Sequence, residues 1–155
     1  MSSTSFMTLL RDEVDHLKLL RNALQQEAQT LLNQDAMQIE ASVAQKSILL
    51  EQQSSLTRNR EALVEHMTGE NGLQALDALA SSDSDNTLTT LVAELKTLTN
   101  ECRTINQNNG KLILKRQRHA ANALNILRQT DTGVAVYSDR GDTVESKSSR
   151  TLGKA

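Results

Sequence analysis

The 155-residue chain has no proline, no tryptophan and a single cysteine, and its only aromatic residues are Phe6 and Tyr137. Each absence excludes something. Proline is the strongest helix breaker, so nothing of that kind interrupts long helices here. Aromatic side chains dominate the cores of sheet proteins, so their scarcity argues against a β fold. The lone Cys102 cannot form an internal disulfide and fits a reducing compartment. Residues 1–10 lack the basic region and long apolar core of a signal peptide, and no window approaches a membrane span of ~20 apolar residues. A soluble, cytoplasmic protein without membrane insertion is the expectation. What the chain does hold is Leu, Ala, Gln and Glu, all good helix formers. An all-α protein with one modest core follows from that composition and length.

Net charge is −2, which offers no bulk attraction for nucleic acid or membrane. Distribution says more. Residues 102–130 contain no Asp or Glu, yet hold Arg103, Lys111, Lys115, Arg116, Arg118 and Arg128, while residues 35–101 are mainly acidic. Such asymmetry points to a surface facing an anionic or polar partner, or to neighbouring helices of opposite charge.

Periodicity places three long helices, at about 5–33, 35–67 and 86–130. In the first, Leu10, Leu17, Leu24 and Leu31 recur every seventh residue, with Val14, Leu20 and Ala28 widening the stripe. Asp35 is the expected N-cap of the second, whose buried side is read as Ile39, Val43, Leu49, Leu50, Leu56, Leu63, Val64 and Met67. The short connection implies an antiparallel hairpin. Gly69 and Gly72 interrupt the pattern, a short helix fits residues 73–80, and residues 81–85 read as a polar loop. Asp85 or Asn86 should cap the last long helix. Residues 131–155, rich in Ser, Gly, Asp and Lys without an apolar face, read as a flexible tail. The bundle domain is thus 1–130.

The last helix carries a seam at alternating steps of three and four: Leu88, Leu91, Leu95, Leu98, Cys102, Ile105, Asn109, Leu112, Arg116, His119, Ala123 and Ile126. After Leu112 the seam turns basic. At 1.5 Å per residue this helix outruns its partners, so an elongated antiparallel three-helix bundle is expected, with the long helix overhanging at its C-terminal end. Ile113, Leu124, Ile126 and Leu127 would then be exposed apolar side chains, which on a long helix mean a partner surface. The alternative is a non-catalytic coiled-coil scaffold that buries them in a homodimer.

Other constellations read more plainly. Glu13 and His16 have the Glu-x-x-His spacing of di-iron bundles, but neither His66 nor His119 supplies a second copy, and a surface pair is the simpler explanation. Cys102, on the seam between Leu98 and Ile105, reads as a small buried hydrophobe. The three histidines lie on separate helices, no Ser or Cys pairs with them, and no Gly-rich loop could cradle phosphate, so neither catalysis nor a cofactor is expected. Lys111, Lys115, Arg116 and Arg118 could meet phosphates, yet no aromatic interleaves with them for stacking; nucleic acid is not the expected partner, and a helical nucleic-acid-binding protein stands as the remoter alternative behind the scaffold. Asn109 in the seam suggests a register-fixing polar contact. Gly110 beside it, costing about 1 kcal/mol in a helix, should have a packing reason or mark a kink.

The run Asn106-Gln107-Asn108-Asn109-Gly110 followed by Leu112-Ile113-Leu114 resembles the signature of the flagellar export chaperones of the FlgN family. Gln45-Lys46-Ser47 with Leu49-Leu50 agrees with it, and Tyr137-Ser138-Asp139-Arg140-Gly141 is similar to that family's Tyr-x-x-x-Gly tail element. The likeness covers nearly the whole chain. It implies a cytoplasmic chaperone of flagellar type III secretion that binds the C-terminal helices of hook-associated (hook–filament junction) proteins. Such a chaperone prevents their premature assembly and delivers them to the export gate and ATPase components. By the same resemblance the client surface corresponds to Asn109, Gly110, Leu112, Ile113, Arg116, Ala120, Ala123, Leu124 and Leu127, and Tyr137 to an export-gate docking residue. The basic stretch 111–118 departs from the family pattern.

Overall fold

A computed structural model describes residues 2–82 and 86–133, with side chains for 5–82 and 86–130. Among the described residues there are four helices and no strands: α1 (Ser2–Asn33), α2 (Ala36–Thr68), α3 (Leu73–Ser81) and α4 (Thr87–Gly133). The all-α reading holds, and the short segment after Gly72 is a true helix. The described residues fall into two units, divided between Arg116 and Gln117.

Local chemistry sets the helix ends. Asp35 caps α2 as expected: its Oδ1 accepts the backbone N–H of Met37 at 3.0 Å and of Gln38 at 3.2 Å, satisfying two of the donors a helix start leaves free. At the other end Gly69 takes the left-handed conformation (φ 75°) and donates its N–H to Glu65 O at 2.8 Å, a turn that glycine makes without Cβ strain. The carbonyl of Asn86 accepts the N–H of Thr90 at 3.1 Å and so opens α4; Asp85 lies outside the described residues.

The core of the first unit is a cluster around α1. Phe6, Leu10, Val14, Leu17, Leu20 and Leu24 pack with Val64 of α2, with Ala75, Leu76 and Ala80 of α3, and with Leu88, Val92, Leu95, Leu98 and Cys102 of α4. Pairing directions follow from the bonds between helices. Glu13 meets Arg60 and Glu27 meets Lys46, so α1 and α2 are antiparallel. Leu17 O accepts from the Cys102 thiol and Leu24 O from Asn109, so α1 and α4 run parallel. The result is an up–down–up bundle with α3 laid against its start.

The second helix differs from its sequence reading. Of the eight residues placed on its inner side, only Val64 is buried; Leu50 is exposed and the others are half-buried. The buried positions beside Val64 are Ser42 and Arg60. The physical reason is a polar seam on α1. Glu13 accepts from Arg60 Nε at 2.7 Å, Thr57 Oγ1 at 2.9 Å and Gln53 Nε2 at 3.2 Å, and Thr30 Oγ1 lies 3.2 Å from Ser42 Oγ. Burying a carboxylate is tolerable only when it is paired and hydrogen-bonded, so α2 turns its polar residues inward to meet Glu13. The reading of Glu13 and His16 as a surface pair is corrected accordingly: Glu13 is buried, and His16 Nε2–H donates to Leu49 O at 2.9 Å.

Candidate partner-binding face

Along α4 the inward residues fall at steps of three and four. Leu88, Val92, Leu95, Leu98, Cys102 and Asn109 are buried, and Leu91 and Ile105 are half-buried. At the same steps the helix then places Leu112 and Ile113, Arg116, Ala120, Ala123 and Leu124, and Leu127. Side chains three and four apart share a helix face. Leu112, Ile113 and Arg116 thus continue the packed face within the first unit, and Ala120, Ala123, Leu124 and Leu127 keep the same spacing along the helix in the second.

Cover is lost over a short interval. Cys102 pairs with Leu17 and Asn109 with Leu24, an interval of 85 residues in both cases. The same interval from Leu31, the last buried residue of α1, falls at Arg116. Leu112, Ile113 and Arg116 are half-buried, and every residue from 117 to 130 is exposed. Leu124 is 55% exposed, Ile126 61% and Leu127 61%, high values for side chains of this size.

Asn109 stands just before cover is lost. It is buried, and its Nδ2 donates to Leu24 O at 2.9 Å and to Glu27 Oε2 at 2.8 Å. The other Glu27 oxygen accepts from Lys46 Nζ at 2.8 Å. Three helices thus meet in one satisfied polar cluster, the kind of contact that fixes register in packed helices. As one of the nine residues assigned to the client surface, Asn109 has its amide hydrogens committed inside the bundle. Gly110 is half-buried in an unbroken helix, and a Cβ built there meets nothing within 4 Å, so no contact within the chain demands a glycine. Tyr137 lies outside the described residues.

Two residues support this face in a way hydrophobic periodicity does not show, Glu27 and Lys46. Periodicity favours the apolar neighbour Ala28, which is only half-buried, whereas Glu27 is fully buried. The signal was present, since Glu13, Leu17, Leu20, Leu24, Glu27 and Leu31 follow steps of four and three.

Cys102 is buried as expected, and its Sγ donates to Leu17 O at 3.6 Å. Burial pushes its thiol pKa up, against the smaller opposing pull of Arg21, which disfavours the reactive thiolate. Among the described residues no group of three or more His, Cys, Asp or Glu could hold a metal ion, and no helix is long and apolar enough to cross a membrane. What this region can offer is an apolar helical stripe: covering a Leu or Ile contributes at most about 1.5–3 kcal/mol per side chain, less the cost of ordering both partners.

Comparison with known proteins agrees with this architecture. No curated protein and no solved structure matches the chain, but the family model for FlgN protein matches residues 1–145. With nearly its whole length matched, the chain belongs to the FlgN family, the flagellar export chaperones.

Proposed function

We propose that this chaperone holds the C-terminal helical segments of hook-associated, hook–filament junction proteins in the cytoplasm and delivers them to the flagellar export gate. The late part of α4 is the client surface, through Leu112, Ile113, Arg116, Ala120, Ala123, Leu124 and Leu127. The observation that carries the reading is spacing: a seam whose residues are buried or half-buried from Leu88 to Arg116 is followed at the same steps by Ala120, Ala123, Leu124 and Leu127, all of them exposed. Amphipathic client helices that pack only in the finished filament have the complementary problem, an apolar face without a partner. Laying one along the other is the helix-in-groove mode of recognition. The polar cluster of Asn109, Glu27 and Lys46 holds α4 in register within the first unit, just ahead of Leu112 and Ile113. No step requires catalysis.

Tyr137 serves delivery rather than capture in this proposal. The test is co-purification of the tagged full chain from a flagellated source, with identification of whatever co-elutes in stoichiometric amount. Junction proteins recovered equally by the wild type and by Tyr137→Ala, with secretion lost only in the variant, support it. Loss of the client with Tyr137→Ala contradicts the division of roles, and the absence of any flagellar protein from the wild-type eluate contradicts the function itself. A homodimer through the same stripe is the competing reading, and light scattering that shows a stable dimer unaffected by client favours it.

A further inference from the structure

Charge changes sign along α4 at the place where cover is lost. Against α1, α4 supplies the acids: Glu94 pairs with Lys18 at 2.9 Å and Glu101, two turns on and at the same heptad position, with Arg21 at 3.2 Å. After Glu101 there is no Asp or Glu up to residue 130, and Lys111, Lys115, Arg116 and Arg118 follow. Among the described residues none of these four lies within ion-pair distance of a carboxylate. Arg116 is placed in the seam itself, between Ile113 and Ala120, and is half-buried.

From this we infer that the occupant of the stripe is an acidic amphipathic helix, with carboxylates flanking its apolar residues and one facing Arg116. The inference rests on the proposed client surface and adds its chemistry. A guanidinium in the middle of an apolar stripe is costly to cover unless it gains an opposite charge, and a helix partner can bring one to that position with bidentate geometry. Flanking cations next to a coiled-coil seam choose partners by opposite charge, as Lys18 and Arg21 already do for α4 within the bundle. A lipid surface fits less well, because a membrane-bound helix keeps its cations off its apolar face and Arg116 breaks that separation. A nucleic acid fits less well too, because the cations bracket the apolar run Leu112, Ile113 and Leu114 and no aromatic stands among them to stack on bases.

The test uses the full chain and three synthetic helical peptides that share one Leu/Ile heptad seam and differ only at the flanking positions, which are all Glu, all Gln or all Lys. At low salt the Glu peptide is expected to bind about tenfold tighter than the Gln peptide, and the Lys peptide weakest. Raising salt from about 50 to 300 mM should close most of that gap. The triple variant Lys115→Glu, Arg116→Glu, Arg118→Glu should invert the order. The milder Lys115→Gln with Arg118→Gln should only flatten it, and circular dichroism checks that both remain helical. Equal binding of the Glu and Gln peptides, an order that the reversal leaves intact, or no binding of any peptide overturns the inference. So does tighter binding at about 150 mM salt of a DNA duplex or of phosphatidylglycerol vesicles. The chaperone reading is separable, because co-purified clients that bind independently of salt and of the triple reversal would leave it standing and remove only the charge rule.

Discussion

Asn109 Nδ2 and Glu27 Oε2 lie 2.8 Å apart inside the bundle, 82 residues apart in sequence, and join α4 to α1 at the last well-covered turn. Because Lys46 Nζ occupies the other Glu27 oxygen, removing either partner leaves a buried carboxylate short of a bond. Asn109→Ala is expected to lower unfolding free energy by about 1–3 kcal/mol, and Lys46→Met by about 3–5 kcal/mol. Urea denaturation measures both. A double-mutant cycle with Glu27→Gln should give a coupling of about 1 kcal/mol or more, and strict additivity would show that the cluster is not acting as a unit.

Gly110 gives a prediction of opposite sign. Its place is open, its helix is regular and its φ is not left-handed, so Gly110→Ala should stabilise the free chain by about 1 kcal/mol. Thermal unfolding checks this. If client affinity falls in the same variant, the glycine is kept for close approach of a partner backbone; an unchanged unfolding temperature would contradict the open, regular setting of Gly110.

Cys102 should be chemically quiet. Burial raises its thiol pKa, so the folded state disfavours the thiolate that the unfolded chain forms more easily. A group raised on folding contributes stability below its unfolded pKa and loses it as pH rises through the folded value. Alkylation by iodoacetamide near pH 8 should be slow in the native protein and fast in urea. Stability should decline above about pH 9 in the wild type more than in Cys102→Ala. Rapid native alkylation at neutral pH would contradict the buried assignment.

How far the sequence could be read depended on the chemistry at each seam. In α1 and the first half of α4 most inward positions are apolar, and periodicity finds those directly: Leu10, Leu17, Leu24, Leu95, Leu98 and Cys102 are all buried. Asp35 was legible for a different reason, since a carboxylate just ahead of an apolar run has one obvious use. The inner face of α2 was not legible by hydrophobicity. Ser42, Lys46, Gln53, Thr57 and Arg60 keep seam spacing, but their role depends on Glu13 and Glu27 across the interface, and pairing between distant polar residues has no local signature. The candidate face of α4 was legible in phase and composition, and helix lengths already point to its exposure; the pairing interval adds that Leu31 falls level with Arg116.

The central claim is that the exposed aliphatic stripe of late α4 is where a client helix binds. Isothermal titration of the full chain, wild type against Leu124→Asp with Leu127→Asp, using the C-terminal segment of a co-purified junction protein, tests it most directly. Both residues are more than half exposed, so the double variant should keep its helical signal and its unfolding temperature. The expected result is binding weakened by at least about a hundredfold, since two buried Leu contacts are replaced by desolvated charges. Affinity equal to the wild type in a variant that remains folded would contradict the account.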